Sequence, residues 1–311
     1  MGPLEGIARR PRIAALLGAL CIAFSGIFFR YALVSPSTGT VFRTLYALPL
    51  LGLLALAERR RHGGLSRSEV RLAVVAGLFF AADLTFWHHA IGAVGAGLAT
   101  VLGNMQVVIV ALVAWLLFGE RPSWAVALAL PVMLVGVVLI SGVVGSGAYG
   151  ANPPLGVVLG LLTALSYAGY LIVTRRGNRD VRRPASTLFL ATASTALVAS
   201  VAGAALGELD LVPSWPSHGW LLLLALTSQV AGYLLISLSL PRLPAVLTSA
   251  ILMAQPVATV ALAALLLAEA PSAFQLAGVG LVIGGLLVAN LGRRPAVVAP
   301  AGGGFLDEAA G

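Results

Sequence analysis

The arginines of this chain lie in every second gap between its apolar runs. Seventeen of the nineteen basic residues follow this pattern, and because the chain has no lysine, all of them are arginines. Arginines in short loops stay on the cytoplasmic side while helices insert into a membrane. The alternation therefore predicts a polytopic membrane protein with ten spans and both termini in the cytoplasm. The arginines concerned are Arg9, Arg10, Arg12, Arg59, Arg60, Arg61, Arg67, Arg71, Arg121, Arg175, Arg176, Arg179, Arg182, Arg183, Arg242, Arg293 and Arg294.

The apolar runs have the length of membrane-spanning helices. The chain is 59% hydrophobic and only 10% charged, whereas soluble domains have about 25% charged residues. A helical span takes about 20 apolar residues, so ten of them use roughly 200 and leave no room for a separate soluble domain. The positive charge does not indicate nucleic-acid binding, because the arginines flank the apolar runs as topology signals do. We place the spans at 13–34, 38–57, 71–92, 96–118, 123–144, 154–174, 185–206, 217–240, 244–268 and 273–291.

The two halves of the chain repeat one another at an offset of 149 residues. Gln106–Ser123 reads QVVIVALVAWLLFGERPS, and Gln255–Ser272 reads QPVATVALAALLLAEAPS. Each repeat contains five spans, an odd number, so the two repeats must lie in opposite orientations. Inverted repeats are common in transporters, with the substrate site near the bilayer midplane. The aligned pairs are Gln106 with Gln255, Glu120 with Glu269, Pro122 with Pro271, Ser123 with Ser272, and Gly136 with Gly285.

The predicted fold is therefore an all-α membrane protein of ten transmembrane helices in two inverted five-helix repeats. The first repeat covers residues 13–144 and the second covers 154–292. Residues 145–153 form an external linker between them. Residues 1–12 form a cytoplasmic segment, and residues 293–311 form a disordered cytoplasmic tail, because they are rich in Ala, Gly and Pro.

The paired turns at the repeat ends resemble a known family. Gly119-Glu120 and Ala268-Glu269, the repeat of five plus five spans, and Arg43 early in the second span are similar to the EamA-type drug/metabolite transporter superfamily over residues 13–291. The resemblance implies a bacterial inner-membrane transporter that exports metabolites such as amino acids. The family often has proline early in both repeat-closing spans. This chain has Pro256 in the ninth span, but Val107 at the matching place in the fourth.

Asp83 is the strongest candidate for a functional charge. It lies near the middle of span three, where a charged side chain costs about 2.5–3.5 kcal/mol on insertion scales. Helical spacing places Phe79, Phe86 and Trp87 on the same face. An acid among aromatic rings can bind a ligand ammonium group, and a carboxyl group there can also carry a coupling proton. The alternative is a carboxyl group hydrogen-bonded to a neighbouring helix.

Arg43 is the second candidate, about five residues inside span two. Its planar guanidinium can bind a ligand carboxylate through two hydrogen bonds. The alternative is that the side chain extends outward to the lipid headgroups. Arg30, close to the end of span one, is better explained by that outward extension.

Polar residues at helical spacing mark the remaining candidates for the wall of a substrate cavity. Such walls combine apolar surface with a few hydrogen-bonding groups. For any one residue, a hydrogen bond between helices is an equally good explanation. The stripes occur in both halves, which favours one shared central cavity. The candidates are Asn104 in span four, Tyr167 and Tyr170 in span six, Gln229 and Tyr233 in span eight, and Gln255 in span nine.

These observations predict a secondary transporter of a small amphipathic metabolite such as an amino acid. A drug or lipid-linked sugar exporter of the same fold is the alternative within transport. An intramembrane enzyme and a receptor or scaffold are alternatives from other classes. The chain lacks a nucleophile–base cluster and a phosphate-binding loop, so we expect no catalysis, no ATP-driven transport and no cofactor.

Two further features have plain explanations. His88 and His89 point about 100° apart on a helix, so we expect no metal site. The pair Gly280 and Gly284 in span ten fits either packing within the chain or a homodimer face. The expected partners are a small-molecule substrate and membrane lipid, with a homodimer left open.

Overall fold

The computed structural model describes residues 10–119, 122–177, 182–239, 243 and 251–291, and it contains helices and no strand within those ranges. The predicted tail and most of the N-terminal segment lie outside them, as do Glu120, Arg121, Arg179 and Arg242. The helices are α1 Pro11–Ala23, α2 Ser25–Ala32, α3 Pro36–His62, α4 Arg67–Val94, α5 Ala96–Gly103, α6 Gln106–Phe118, α7 Trp124–Ile140, α8 Pro153–Gly177, α9 Pro184–Ala205, α10 Trp215–Leu224, α11 Tyr233–Ser239, α12 Ala254–Leu267 and α13 Ala273–Leu291.

Seven helical stretches in the described ranges are long and apolar enough to cross a membrane. Three shorter apolar helices, Trp124–Ile140, Ala254–Leu267 and Ala273–Ala289, lie where spans five, nine and ten were predicted. The all-helical membrane class is confirmed, whereas the count of ten spans stays a prediction. The seven stretches are Pro11–Ala32, Pro36–His62, Arg67–Val94, Ala96–Val113, Pro153–Thr174, Pro184–Ala205 and Trp215–Ser239.

The helix starts follow local sequence signals. Ser35 accepts a hydrogen bond from the backbone N–H of Thr38, and Pro36 occupies the first turn of α3. Ser66 and Glu69 form a reciprocal capping box at the start of α4. Because these caps satisfy backbone groups that the first helical turn leaves open, they fix where each helix begins.

Corresponding helices of the two halves pack against each other. The helix α3 packs along α9, and α7 packs along α13. A Cβ atom on Gly136 would lie 2.7 Å from the carbonyl oxygen of Gly278, and one on Gly285 would meet the side chain of Met133. A Cβ atom on Gly136 would also meet the side chain of Val282. Gly136 and Gly285 differ by the repeat offset of 149 residues, and so do Met133 and Val282. The α7–α13 crossing is therefore built from equivalent contacts.

Spans four and nine are interrupted at equivalent positions. A turn at Asn104 and Met105 separates α5 from α6, and a turn at Met253 precedes α12. Asn104 and Met253 differ by the repeat offset of 149 residues. The missing proline at Val107 therefore does not remove the interruption, because the backbone turns three residues earlier.

Candidate functional site

Arg43 is buried among the helices and is only 2% exposed. Its Nε donates to Oε1 of Gln229 at 3.0 Å, and its Nη1 donates to Oγ of Ser25 at 3.0 Å. The guanidinium carbon lies 5.7 Å from the centre of the Trp87 ring, within range of a cation–π interaction. The side chain points inward, so the alternative of an outward extension to the headgroups does not apply to Arg43.

Gln229 connects this arginine to the second half of the chain. Its Nε2 donates to Oγ1 of Thr192 at 3.1 Å, so Ser25, Arg43, Gln229 and Thr192 form one hydrogen-bonded chain through α2, α3, the segment after α10 and α9. That segment, Ala225–Gly232, is a π-helical stretch, and such stretches occur frequently at functional sites. Sequence reasoning missed Ser25 and Thr192, because a single buried hydroxyl has no pattern of its own.

Asp83 is buried close to this chain and is 6% exposed. It interacts electrostatically with Arg43, Tyr167, Tyr170 and Tyr233. Within the described ranges, its carboxyl group forms no hydrogen bond, and it lies beyond ion-pair distance of the Arg43 guanidinium. Its accepting oxygens are thus available to a partner from outside the chain.

Aromatic rings from three helices form one wall beside Asp83. Phe80 of α4 stacks on Tyr170 of α8 at 4.7 Å between ring centres, and it meets the edge of Tyr233 of α11 at 5.4 Å. Tyr167 stacks on Tyr170 at 5.5 Å. The structure therefore brings Tyr167, Tyr170 and Tyr233 together, and their role as the wall of a substrate cavity stays a prediction.

Phe79 lies outside this wall. It is 39% exposed and packs against Gly169, where a Cβ atom would lie 2.5 Å from its ring. The neighbouring Phe80 is fully buried and takes the place that the sequence assigned to Phe79. Both residues flank the Asp83 face, so helical spacing alone did not determine which ring points inward.

Asn104 and Gln255 lie at the interruptions of spans four and nine. The amide of Asn104 donates to the carbonyl of Thr100 at 2.8 Å. Gln255 is half-buried in the first turn of α12, and its carbonyl accepts from the hydroxyl of Thr259 at 2.9 Å. The described contacts join neither residue to the Arg43 chain.

His88 is a buried group that sequence reasoning set aside. Its Nδ1 lies 2.7 Å from the hydroxyl of Thr40, and its ring packs on Phe29 at 4.2 Å. The Thr40 hydroxyl donates to the carbonyl of Pro36, so Nδ1 is the donor towards Thr40. In a neutral ring, Nε2 then carries a lone pair, and this atom has no hydrogen-bond partner within the described part of the chain.

One end of the α3–α9 pair is held by a group of residues that we call the Ser37 clamp: Ser35, Ser37, Thr38, His89 and Glu208. The hydroxyl of Ser37 donates to Oε2 of Glu208 at 2.8 Å. Nε2 of His89 lies 3.2 Å from the same oxygen. Ser35 donates to the carbonyl oxygen of Glu208. The loop after α9 is thereby tied to the start of α3 and the end of α4.

The opposite end of the pair is held by the Ser186 clamp: Glu58, Glu69, Arg183, Ala185 and Ser186. Glu58 accepts from the backbone N–H of Ala185 at 2.9 Å and of Ser186 at 2.7 Å, and from the Ser186 hydroxyl at 2.7 Å. Arg183 forms an ion pair with Glu69 at 3.1 Å. The end of α3 is thus tied to the start of α9, so the two corresponding helices run antiparallel, as an inverted repeat requires.

Glu269 caps a helix of the other repeat. Its carboxylate accepts from the backbone N–H groups of Ala96 at 2.6 Å and Gly97 at 3.1 Å. These are open donors at the positive end of α5, where a carboxylate is favourable. The sequence around Glu269 gave no sign of a partner 173 residues away.

Comparison with known proteins gives one family and one fold. The model of the EamA-like transporter family matches residues 10–142 and 154–291. A solved structure described only as "Crystal structure of protein" superposes with a TM-score of 0.59 at 19% identity, covering 92% of this chain and 99% of that one. This likeness shows the fold alone. A search of curated proteins gave no match.

Proposed function

The chain belongs to the EamA-like transporter family, and from that premise we propose that it is a secondary transporter of a small amphipathic metabolite such as an amino acid. Transport proceeds by alternating access between two inverted repeats. Family members are membrane transporters of small molecules, and the seven apolar helices fit a membrane location. The substrate class and the mechanism are the parts of this proposal that need support from the site.

The observation that carries the proposal is the buried pair of opposite charges, Arg43 and Asp83, which form no ion pair with each other. A guanidinium has five N–H donors, and the hydrogen bonds to Gln229 and Ser25 use two of them. The rest can bind a carboxylate. Asp83 can accept hydrogen bonds from an ammonium group. A zwitterion placed between them would satisfy both charges, which are expensive to bury alone.

The aromatic wall favours a substrate with an apolar portion. Phe80, Tyr167, Tyr170 and Tyr233 present ring faces next to the charged pair. Ring faces attract both apolar groups and cations. Asn104, Trp87 and Gln255 are the remaining proposed contacts, with Trp87 already on the Arg43 guanidinium, and Phe80 replaces Phe79 in this wall.

The sequence pattern and the family support the proposed direction, membrane and coupling. The arginine distribution favours both termini in the cytoplasm, and the resemblance to bacterial exporters favours export across the inner membrane. The Ser37 clamp then lies on the external side. Asp83 is the proposed carrier of the coupling proton, because a carboxyl group without hydrogen bonds can exchange a proton when the cavity opens.

Gly280 and Gly284 line an apolar groove of about 290 Å³ between α7 and α13. A Cβ atom at either glycine would meet nothing within 4 Å. A lipid chain and a helix from a second copy are the two occupants that we propose for this groove, and the homodimer stays a prediction. Disulfide cross-linking of a Gly280→Cys variant in Cys21→Ser background would detect the dimer.

Substrate binding and flux in proteoliposomes test the proposal. Purified protein is first screened by thermal shift against neutral amino acids, organic cations and nucleosides, and saturable stabilisation by amino acids is expected. Arg43→Gln should then reduce amino-acid counterflow by at least tenfold, because a charge-assisted hydrogen bond contributes about 1.5–3 kcal/mol. Arg71→Gln, which removes an exposed arginine, is the matched control and should keep full counterflow.

Asp83→Asn separates the two roles of the carboxyl group. Loss of uptake driven by a pH gradient with counterflow retained would assign the proton to Asp83. Loss of both activities would mean that the Asp83 carboxyl group binds the ammonium group of the substrate. Full proton-driven uptake by this variant would remove Asp83 as the proton site, and stabilisation by organic cations alone would replace the amino acid with a drug-like substrate.

A further inference from the structure

Arg30 is one of the two arginines outside the alternating pattern, and the central site uses only the other one, Arg43. It lies near the end of α2, at the same end of the bundle as the Ser37 clamp, and it is exposed. Within the described ranges its guanidinium forms no hydrogen bond and no ion pair. Its five N–H groups are therefore available to a partner from outside the chain.

Arg30 lines a cavity of about 290 Å³ at this end of the bundle. The volume is close to the lower limit for small-molecule pockets, so it suits a small molecule or a lipid headgroup. The other lining residues come from the end of α4, the turn before α5 and the linker between the repeats. They are Ile91, Gly92, Gly95, Tyr149, Gly150 and Ala151.

The linker wall of this cavity is fixed by contacts with both repeats. The backbone N–H of Tyr149 donates to Oε1 of Gln275 at 2.7 Å, and the Tyr149 carbonyl accepts from Nε2 of the same side chain at 3.0 Å. The N–H of Asn152 donates to the carbonyl of Ala93 at 3.0 Å. Gly150 has a φ of +116°, and a Cβ atom there would lie 2.6 Å from that same carbonyl oxygen, so glycine is required. A wall that is already ordered lowers the entropic cost of binding a ligand.

Tyr149 brings a second polar group to the lining. Its hydroxyl forms no hydrogen bond within the part of the chain that the structure describes. Burial and the charge of Glu269 raise the pKa of Tyr149, although Arg30 acts in the opposite direction, so the hydroxyl keeps its proton and can donate. Glu269 itself lies behind Gly95, where its carboxylate accepts from two backbone N–H groups of α5. The acid is thus already bonded to that helix start.

We propose that this cavity binds a single oxyanion, a carboxylate or a phosphate group, through the Arg30 guanidinium and the Tyr149 hydroxyl. Carboxylate and phosphate oxygens match the paired N–H groups of a guanidinium, whereas a cation would be repelled by Arg30. The oxyanion has two possible sources, a small acid dissolved in the water at this end and the headgroup of an anionic lipid. The site is separate from Arg43 and Asp83, and it does not depend on the proposed transport.

A thiol placed in the cavity tests the charge of the site. Gly92 is exposed, and a Cβ atom there would meet nothing within 4 Å. Gly92→Cys in a Cys21→Ser background is treated with a negatively charged and with a positively charged methanethiosulfonate reagent. Adding Arg30→Gln should lower the ratio of the negative to the positive reaction rate by about threefold or more. Arg71→Gln is the matched control and should leave the ratio unchanged. A ratio that does not depend on Arg30 would overturn the proposal.

Protection of the same thiol tests binding and identifies the source. In phosphatidylcholine nanodiscs, sodium acetate and inorganic phosphate should each slow alkylation by the neutral reagent iodoacetamide, and Arg30→Gln should abolish this protection. Tyr149→Phe should raise the concentration needed by about tenfold, because one hydrogen bond to the anion is lost. Protection only in nanodiscs that contain phosphatidylglycerol, again dependent on Arg30, would support the site and identify a lipid headgroup as the source. No protection by acetate, phosphate or phosphatidylglycerol would overturn the proposal.

These readouts require neither a known substrate nor transport, so they separate this proposal from the proposed function. Protection that depends on Arg30 in a protein without amino-acid counterflow would leave the oxyanion site standing and remove the transport function. Full counterflow without any protection would do the reverse. Far-UV circular dichroism and melting curves verify that each variant is folded.

Discussion

The two clamps occupy equivalent positions in the repeats but are built from different charges. Ser37 and Ser186 differ by the repeat offset of 149 residues. Each donates its hydroxyl to a glutamate, Glu58 near the end of α3 and Glu208 in the loop after α9. The Ser186 clamp contains an arginine, Arg183, which pairs with Glu69, whereas the Ser37 clamp contains His89 beside Glu208. The same packing thus places a different basic residue at each end.

The clamps also differ in what their glutamates hold. Glu58 accepts hydrogen bonds from two backbone N–H groups at the start of α9, whereas Glu208 accepts from two side chains. Side chains can turn away to water when their partner is lost, but backbone donors at a helix start are fixed in place. Opening the Ser186 clamp should therefore cost more free energy than opening the Ser37 clamp.

The largest expected effect comes from removing each glutamate. Glu58→Ala should lower the free energy of unfolding by about 2–4 kcal/mol, because it leaves two backbone donors and one hydroxyl without their acceptor. Glu208→Ala should cost about half as much. Unfolding of both variants in the same detergent, monitored by circular dichroism, gives the ratio of the two losses in free energy. Equal losses would show that the backbone contacts of Glu58 do not distinguish the clamps.

The smallest expected effect is that of Glu208 on the melting temperature in acid. Because the pKa of Glu208 is lowered in the folded protein, its contribution to stability is present above the ordinary pKa of a glutamate and is lost as the pH falls through the lowered value. Melting temperatures of the parent should thus decline more steeply below about pH 4.5 than those of Glu208→Gln. Parallel curves for the two proteins would contradict this assignment.

The sequence predicted the helical class because hydropathy and arginine positions are properties of single segments. Polar stripes in both halves predicted one central cavity for Asp83 and the tyrosines. The structure places Asp83 in electrostatic contact with Tyr167, Tyr170 and Tyr233, and their role in binding a substrate stays a prediction. The sequence failed between Phe79 and Phe80, because the rotation of α4 depends on its contact with α8. The partners of Glu269 and Gln229 were inaccessible for the same reason. Each hydrogen-bonds to a distant helix, and nothing in its own segment records which helix that will be.

The crossing of α7 and α13 has a consequence for how the two halves can move. Gly136 and Gly278 bring two main chains together with no side chain between them, and a Cβ atom on Gly278 would lie 2.5 Å from the carbonyl oxygen of Gly136. Sliding one helix along the other would drive bulkier neighbours into those carbonyls, whereas a rotation about the crossing point leaves the glycines in register. The two helices can therefore rotate about this crossing but cannot slide along each other.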